Sequence, residues 1–182
     1  MGSVGRDRVR QALSDTAKFL DSIVDQTMKG INKGQSLNDI LHGIKLDEDL
    51  LKKPYLRPVY DDPHFIVHNL WRQYCGWWDF NPAHLRPVKD SLLAEEICQL
   101  TGGAEKVARR AIDVASKGDL NLAVQLIDYA VKAKPSSRDV HEAAVKIYSL
   151  KVAAEPSTMA KGVYRSFLVD SENFLDGTKS NL

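Results

Sequence analysis

Cysteine is scarce: Cys75 and Cys98 are the whole supply. They are too few and too far apart for a disulfide framework or a closely spaced redox pair. Reduced, partly buried thiols are expected instead, in a reducing compartment. Long apolar runs are lacking too. No stretch approaches a bilayer span, and the polar, basic beginning has no signal-peptide core. No membrane span is therefore expected, and a cytoplasmic location is favoured. Neither sign of charge is in excess, with 25 Lys and Arg against 24 Asp and Glu, a net of +1. Nothing in that balance implies nucleic acid or an anionic membrane surface. A glycine-rich phosphate loop is absent, because Gly102-Gly103 reads as a helix stop. Metal-ligand spacing is also thin. Among His42, His64, His68, His84 and His141, only His64 and His68 stand four apart, where two rings on one helical turn could share a metal. A third ligand, His84 or an aspartate, would have to come from elsewhere. A nucleophilic Cys75 would need His68 or His84 in reach, and no spacing selects either.

What the chain does have is one aromatic-rich segment. Tyr55, Tyr60, Phe65, Trp71, Tyr74, Trp77, Trp78 and Phe80 are eight of its fourteen aromatics. Rings at that density form either a core or a binding wall. The company of Arg57, Asp61, Asp62, Arg72, Asp79 and Asn81 argues for more than a core. Arg57, Arg72 and Arg86 have two readings: they pair with Asp61, Asp62 and Asp79, or one of them meets an anion through paired hydrogen bonds. Asp79 and Asn81 are expected to anchor the turn by bonds to its backbone. Trp77 is expected to anchor it by burial, since an irregular segment must satisfy its backbone groups locally.

The periodicity is helical almost throughout, and the fold class read from it is all-α, a bundle of about seven to eight helices. Val9, Leu13, Ala17, Leu20, Val24, Met28 and Ile31 fall on one stripe. Ser36 with Asp39 opens a short helix. Asp62 caps another with Pro63 at its first position. Further helices are predicted from Lys89 to Leu100, Ala104 to Lys117, after Asp119 to before Pro135, after Ser137 to near Glu155, and after Ser157 to about Val169. Ala123, Ile127, Ala130 and Pro135 have the spacing of the second helix of a tetratricopeptide (TPR) unit, so a TPR-like hairpin is expected within the bundle. The organisation expected is an N-terminal amphipathic helix over 1–34, a helical domain over 35–169 and a flexible tail over 170–182. The stripe and the aromatic segment together exceed what one small bundle hides, which predicts a symmetric homodimer. Leu13, Leu20, Val24 and Trp71 are the interface candidates.

Several strings in this sequence resemble the dimerisation domain of alkyl sulfatases, enzymes of the metallo-β-lactamase superfamily. They are Pro54-Tyr55-Leu56-Arg57-Pro58, the run from Asp62-Pro63 to Asn69-Leu70-Trp71-Arg72, and the turn Gly76-Trp77 with Asp79, Asn81-Pro82-Ala83 and Leu85. The likeness continues through Gly102-Gly103-Ala104 and Gly118-Asp119-Leu120 to Met159-Ala160-Lys161-Gly162. It spans roughly Val9 to Phe167. Two positions depart from it: Trp78 stands where the family has a tyrosine, and Phe80 where it has a glycine. The resemblance implies an association module that joins two zinc-hydrolase domains and helps to wall their active site. Arg72, Arg57, Tyr74 and Trp78 are then the substrate-facing candidates, with Arg72 the first choice for a sulfate group. Zinc is expected in the catalytic domain and no cofactor in this chain, because the family's zinc-binding His-x-His-x-Asp-His string is absent here. The chain alone is accordingly expected to lack catalysis, whether it is a piece of a longer enzyme or a stand-alone relative. A TPR-like peptide-binding adaptor and a small autonomous enzyme or metal protein are the other classes.

Overall fold

The computed structural model describes residues 5–177. Among them are nine α-helices, one short 3-10 turn and no strand. The helices are α1 (Arg6–Asn32), α2 (Leu37–Gly43), α3 (Glu48–Leu51), α4 (Pro63–Cys75), α5 (Asp90–Thr101), α6 (Ala104–Ser116), α7 (Leu120–Ala133), α8 (Arg138–Ala154) and α9 (Thr158–Leu175). The fold is all-α. The helix missed by periodicity is α3, too short for a repeat to show, which Asp47 starts by accepting from the amides of Asp49 and Leu50. The chain divides between Arg86 and Pro87 into two compact units rather than at 34/35 and 169/170. Each unit has its own apolar core.

In the first unit α1 and α2 pack on α4. The core is small: Phe19, Ile23, Ile40, Leu56, Val67 and Trp71. The face that α1 buries is not the predicted stripe. Asp15, Phe19, Ile23, Thr27 and Gly30 turn inward. Two of these are polar, which hid the face from a count of apolar residues, and both are satisfied. Thr27 Oγ1 donates to the Ile23 carbonyl at 2.8 Å. Asp15 accepts from Lys53, from the Tyr55 hydroxyl at 2.6 Å and from Gln11 at 2.9 Å. Lys53, then Tyr55 and Gln11, hold this carboxyl far below the usual range. Gly30 is needed at the crossing with α2, since a Cβ there would lie 2.6 Å from the Ile40 side chain.

In the second unit α6, α7 and α8 pack mutually, α5 lies on α7 and α6, and α9 covers α8. Small residues set the spacing. Ala108, Ala111, Ala123, Ala130 and Ala144 are all buried, and they let the helix axes come close around Ile127, Val140 and Ile147. The residues of the tetratricopeptide spacing, Ala123, Ile127 and Ala130, are thus inside the helix packing. Helix α9 runs on to Leu175, past the predicted stop at Val169. Ser171 is buried and Phe174 stacks on His141 at 4.0 Å, so 170–175 is packed helix rather than tail. Residues 178–182 of the predicted tail lie outside the described residues.

Candidate functional site

The site is the turn that follows α4. Asp62 caps that helix by accepting from the His64 amide at 2.8 Å, and Pro63 fills the first position. The helix stops at Gly76, whose φ of 81° few other residues adopt readily. Trp71 sits one turn earlier, 2% exposed, in the core of its own unit. Burial there leaves it no area for a partner copy, which corrects its assignment as an interface residue. Its indole N–H donates to the Trp78 carbonyl at 3.0 Å, tying helix to turn.

Within the turn every polar bond is local. The Trp78 indole donates to the Asn81 carbonyl at 2.9 Å. Asp79 accepts from the Asn81 amide at 3.1 Å, and Asn81 from the Ala83 amide at 3.0 Å. The second Asp79 oxygen lies 2.6 Å from His84 Nδ1. A carboxylate can only accept, so the proton of that pair is on Nδ1. His84, with help from the Asn81 amide, holds the Asp79 carboxyl below the usual carboxylate range. Trp77 is different: it is 73% exposed. The expectation that it anchors the loop by burial is overturned. The ring contacts of the turn are made instead by Trp71, from the helix, with Phe80, and by Phe80 with Trp78.

Phe80 carries the clearest backbone signal. Its φ is 68°, the one left-handed residue other than glycine among those described. A side chain there costs about 1–2 kcal/mol. The ring meets Trp71 edge-on at 5.0 Å and Trp78 at 5.2 Å, which holds the strained conformation in place. The turn therefore keeps the backbone shape that glycine would favour at this position.

The predicted arginines do not pair with the aspartates of the segment. Arg57 and Arg72 are exposed, and among the described residues neither they nor Arg86 pair with Asp61, Asp62 or Asp79. Asp61 and Asp62 cap backbone amides, and Asp62 and Asp79 hold histidines. Arg57 lines a cleft of about 220 Å³ with Phe19, Leu56, Pro58, Tyr60 and Ile66. Tyr74 is exposed and Trp78 half-buried. Sequence reasoning missed the Asp15, Lys53 and Tyr55 cluster. Its trace was a charged residue, Asp15, on the helical face that also carries Phe19 and Ile23.

For metal or nucleophile chemistry the geometry offers little. His64 Nδ1 lies 2.7 Å from Asp62 at the helix cap. Among the described residues no three His, Cys, Asp or Glu side chains are grouped to hold a metal ion. Cys75 and Cys98 are both free, and burial pushes both thiols up, away from the thiolate a nucleophile needs. No helix of the described residues is long and apolar enough to cross a membrane.

Comparison with known proteins covers the turn. The family model described as alkyl sulfatase dimerisation matches residues 36–173. A linear primary-alkylsulfatase of Pseudomonas sp. (strain ATCC 19151) is 33% identical over 70% of this chain and 24% of its own length. An alkyl/aryl-sulfatase of Saccharomyces cerevisiae, BDS1, is 27% identical over 86% of this chain and 24% of its own. A solved structure of a double mutant of the sec-alkyl sulfatase PisA1 superposes with a TM-score of 0.83 at 25% identity, over 96% of this chain and 27% of that one. The chain thus spans about a quarter of the length of these relatives. These findings lend no support to the peptide-binding adaptor suggested by the Ala123–Pro135 spacing.

Proposed function

Because this chain belongs to the alkyl sulfatase dimerisation family, we propose that it joins two copies of itself into a homodimer. In a complete protein it would hold two zinc-dependent sulfate-ester hydrolase domains together and wall part of their site. One observation carries the association: α1, 27 residues long, buries one stripe and leaves a second apolar stripe bare. Val9, Leu13 and Leu20 are exposed on it, Leu13 at 67%, with Val24 and Met28 half-buried along the same line and Ile31 at its end packed on the core. A contiguous apolar strip of this kind marks an interface. The dimer should bury roughly 2,000 Å² or more in total, as obligate contacts do. Light scattering at micromolar concentration should give twice the mass of the 20.3 kDa chain. Leu13→Asp with Leu20→Asp should give the single-copy mass while circular dichroism keeps its helical signal. A wild-type chain that runs as one copy defeats the proposal.

The same reading gives the arginines a task. Arg72, exposed on α4 and free of the neighbouring aspartates, is the group proposed to meet a sulfate, with Arg57 as the second choice. Tyr74 and Trp78 would line the approach for the apolar part of the ester. In the complete enzyme Arg72→Ala should lower sulfate-ester turnover and leave the dimer mass unchanged. Loss of both together would place Arg72 in the interface instead.

A further inference from the structure

Two faces of the second unit stand open and complement each other. The first is a groove. Helices α6 and α8 open an apolar cleft of about 460 Å³ over Ile112, Ala115, Ile147 and Leu150, with Lys146 at its edge. Ile112 also lines an adjoining cleft made by Lys106, Arg109, Arg110 and Asp113. From Lys106 to Ser116 the two run about 15 Å along α6, at 1.5 Å per residue. Among the described residues Lys106, Arg109, Arg110 and Lys146 form no ion pair, and they lie together along the two adjoining clefts. The groove is thus half apolar and half basic, with three cations against the single carboxylate of Asp113.

The second face is the outer side of α5. That helix turns Ala94 and Cys98 inward and leaves Leu92, Leu93 and Leu100 outward, Leu100 at 80% exposure. Glu95 and Glu96 are exposed between them, with no ion pair among the described residues. Leu93, Glu96 and Leu100 follow the three-then-four spacing that puts side chains on one helical face. An acidic, leucine-bearing helix is the chemistry that a cationic, apolar groove between two helices receives.

We propose that α5 of one protomer lies in the α6/α8 groove of its partner, and that two-fold symmetry repeats the contact. Leu93 and Leu100 enter the apolar part, and Glu96, on the same face of α5, meets Arg109 and Arg110, with Glu95 adding negative charge at the flank. The inference rests on the dimerisation reading and supplies it with a contact in the second unit, separate from the α1 stripe.

Charge reversal tests it in the full chain. Arg109→Glu with Arg110→Glu makes one variant, and Glu95→Lys with Glu96→Lys makes the other. Each alone juxtaposes like charges in both contacts and should weaken dimerisation roughly tenfold or more by sedimentation or light scattering. Mixed in equal amounts, the two should recover the dimer, because every groove in the mixed pair then meets a helix of opposite charge. Circular dichroism establishes that each variant keeps its helices. Variants that stay as dimeric as the wild type, or a mixture that fails to recover, overturn the proposal and leave the dimerisation reading intact. A wild-type chain that is a single copy defeats the dimerisation reading itself. Species that grow beyond two copies would show a contact that does not close, against the two-fold. Variants that remain dimeric but lose binding to an added catalytic domain would assign the groove to that domain, and the proposal fails.

Discussion

The two units are held by different means. The second has fifteen buried core residues, eight of them alanine, and its helices touch along their lengths. The first has six, none of them alanine, and relies on a few large side chains and polar clamps. Asp15 receives three donors from two segments, and Trp71 spends its indole N–H on the loop it supports. Small residues make packing that is distributed over several helices, while a large residue with a hydrogen-bonding tip fixes one irregular segment at one point. The unit with the turn is the one built on single points. That suits a segment whose surface must be shaped rather than merely covered.

The largest effects should test this contrast directly. Trp71→Ala should cost about 3–5 kcal/mol in a denaturant titration. It removes a buried ring and also leaves the Trp78 carbonyl without its donor. Hydrogen exchange should locate the damage throughout the turn. Ile127→Ala, in the alanine-packed unit, should cost roughly 2–5 kcal/mol and lower protection in α6, α7 and α8 together. If Trp71→Ala leaves the turn amides protected, the single-point description of the first unit is wrong.

A sharper test uses Phe80. At most exposed positions glycine is the worse substitute, because it frees the unfolded chain. At a φ of 68° the order should invert. Phe80→Ala loses the ring contacts and keeps the strained backbone. Phe80→Gly loses the same contacts and relieves the strain. The glycine variant should be the more stable of the two by about 1–2 kcal/mol. Equal midpoints would mean that the ring does not hold this residue in the left-handed region.

Acid should separate the units less strongly. Lys134, then its own amide and Ser137, lower the Glu105 carboxyl from 4.5 to about 2. A folded pKa below the unfolded one adds stability that is full above pH 4.5 and is lost as pH falls toward 2. Solvent reaches the pair, so the contribution should be roughly 1 kcal/mol or less. The urea midpoint of the wild type should therefore fall across that window more than that of Glu105→Gln. Parallel curves would remove the pair from the account of the second unit.

Much of the helical layout was legible because its signals are local. Asp62 with Pro63, the Ser36–Asp39 capping box and the glycine stops each act within one turn of chain. Less legible was which side of a helix faces in. On α1 two stripes compete, and the one containing Asp15 and Thr27 wins because Lys53, Tyr55 and a backbone carbonyl satisfy those polar groups. Such partners lie up to forty residues away and leave no periodic trace. The turn was half legible for the same reason. Asp79 and Asn81 bond to neighbours two residues on, as their types suggest, whereas nothing local says which tryptophan goes inside.

That last distinction yields the smallest effect and the most informative one. Trp77 and Trp71 are alike as residues and opposite in place. With 73% of its surface in solvent, Trp77 makes no ring stack and no side-chain hydrogen bond among the described residues. Trp77→Ala should therefore change stability by no more than about 0.5 kcal/mol, the range for surface positions. An exposed tryptophan with no packing partner in its own turn is then left to act on something outside this fold. In the complete enzyme the same variant should weaken turnover of long-chain sulfate esters more than that of short ones, because the apolar chain loses a ring to lie on. A stability loss of several kcal/mol would return Trp77 to the role of packing anchor. Equal losses for long and short esters would leave its exposure without a substrate to explain it, and α4's arginine would stand alone at the site.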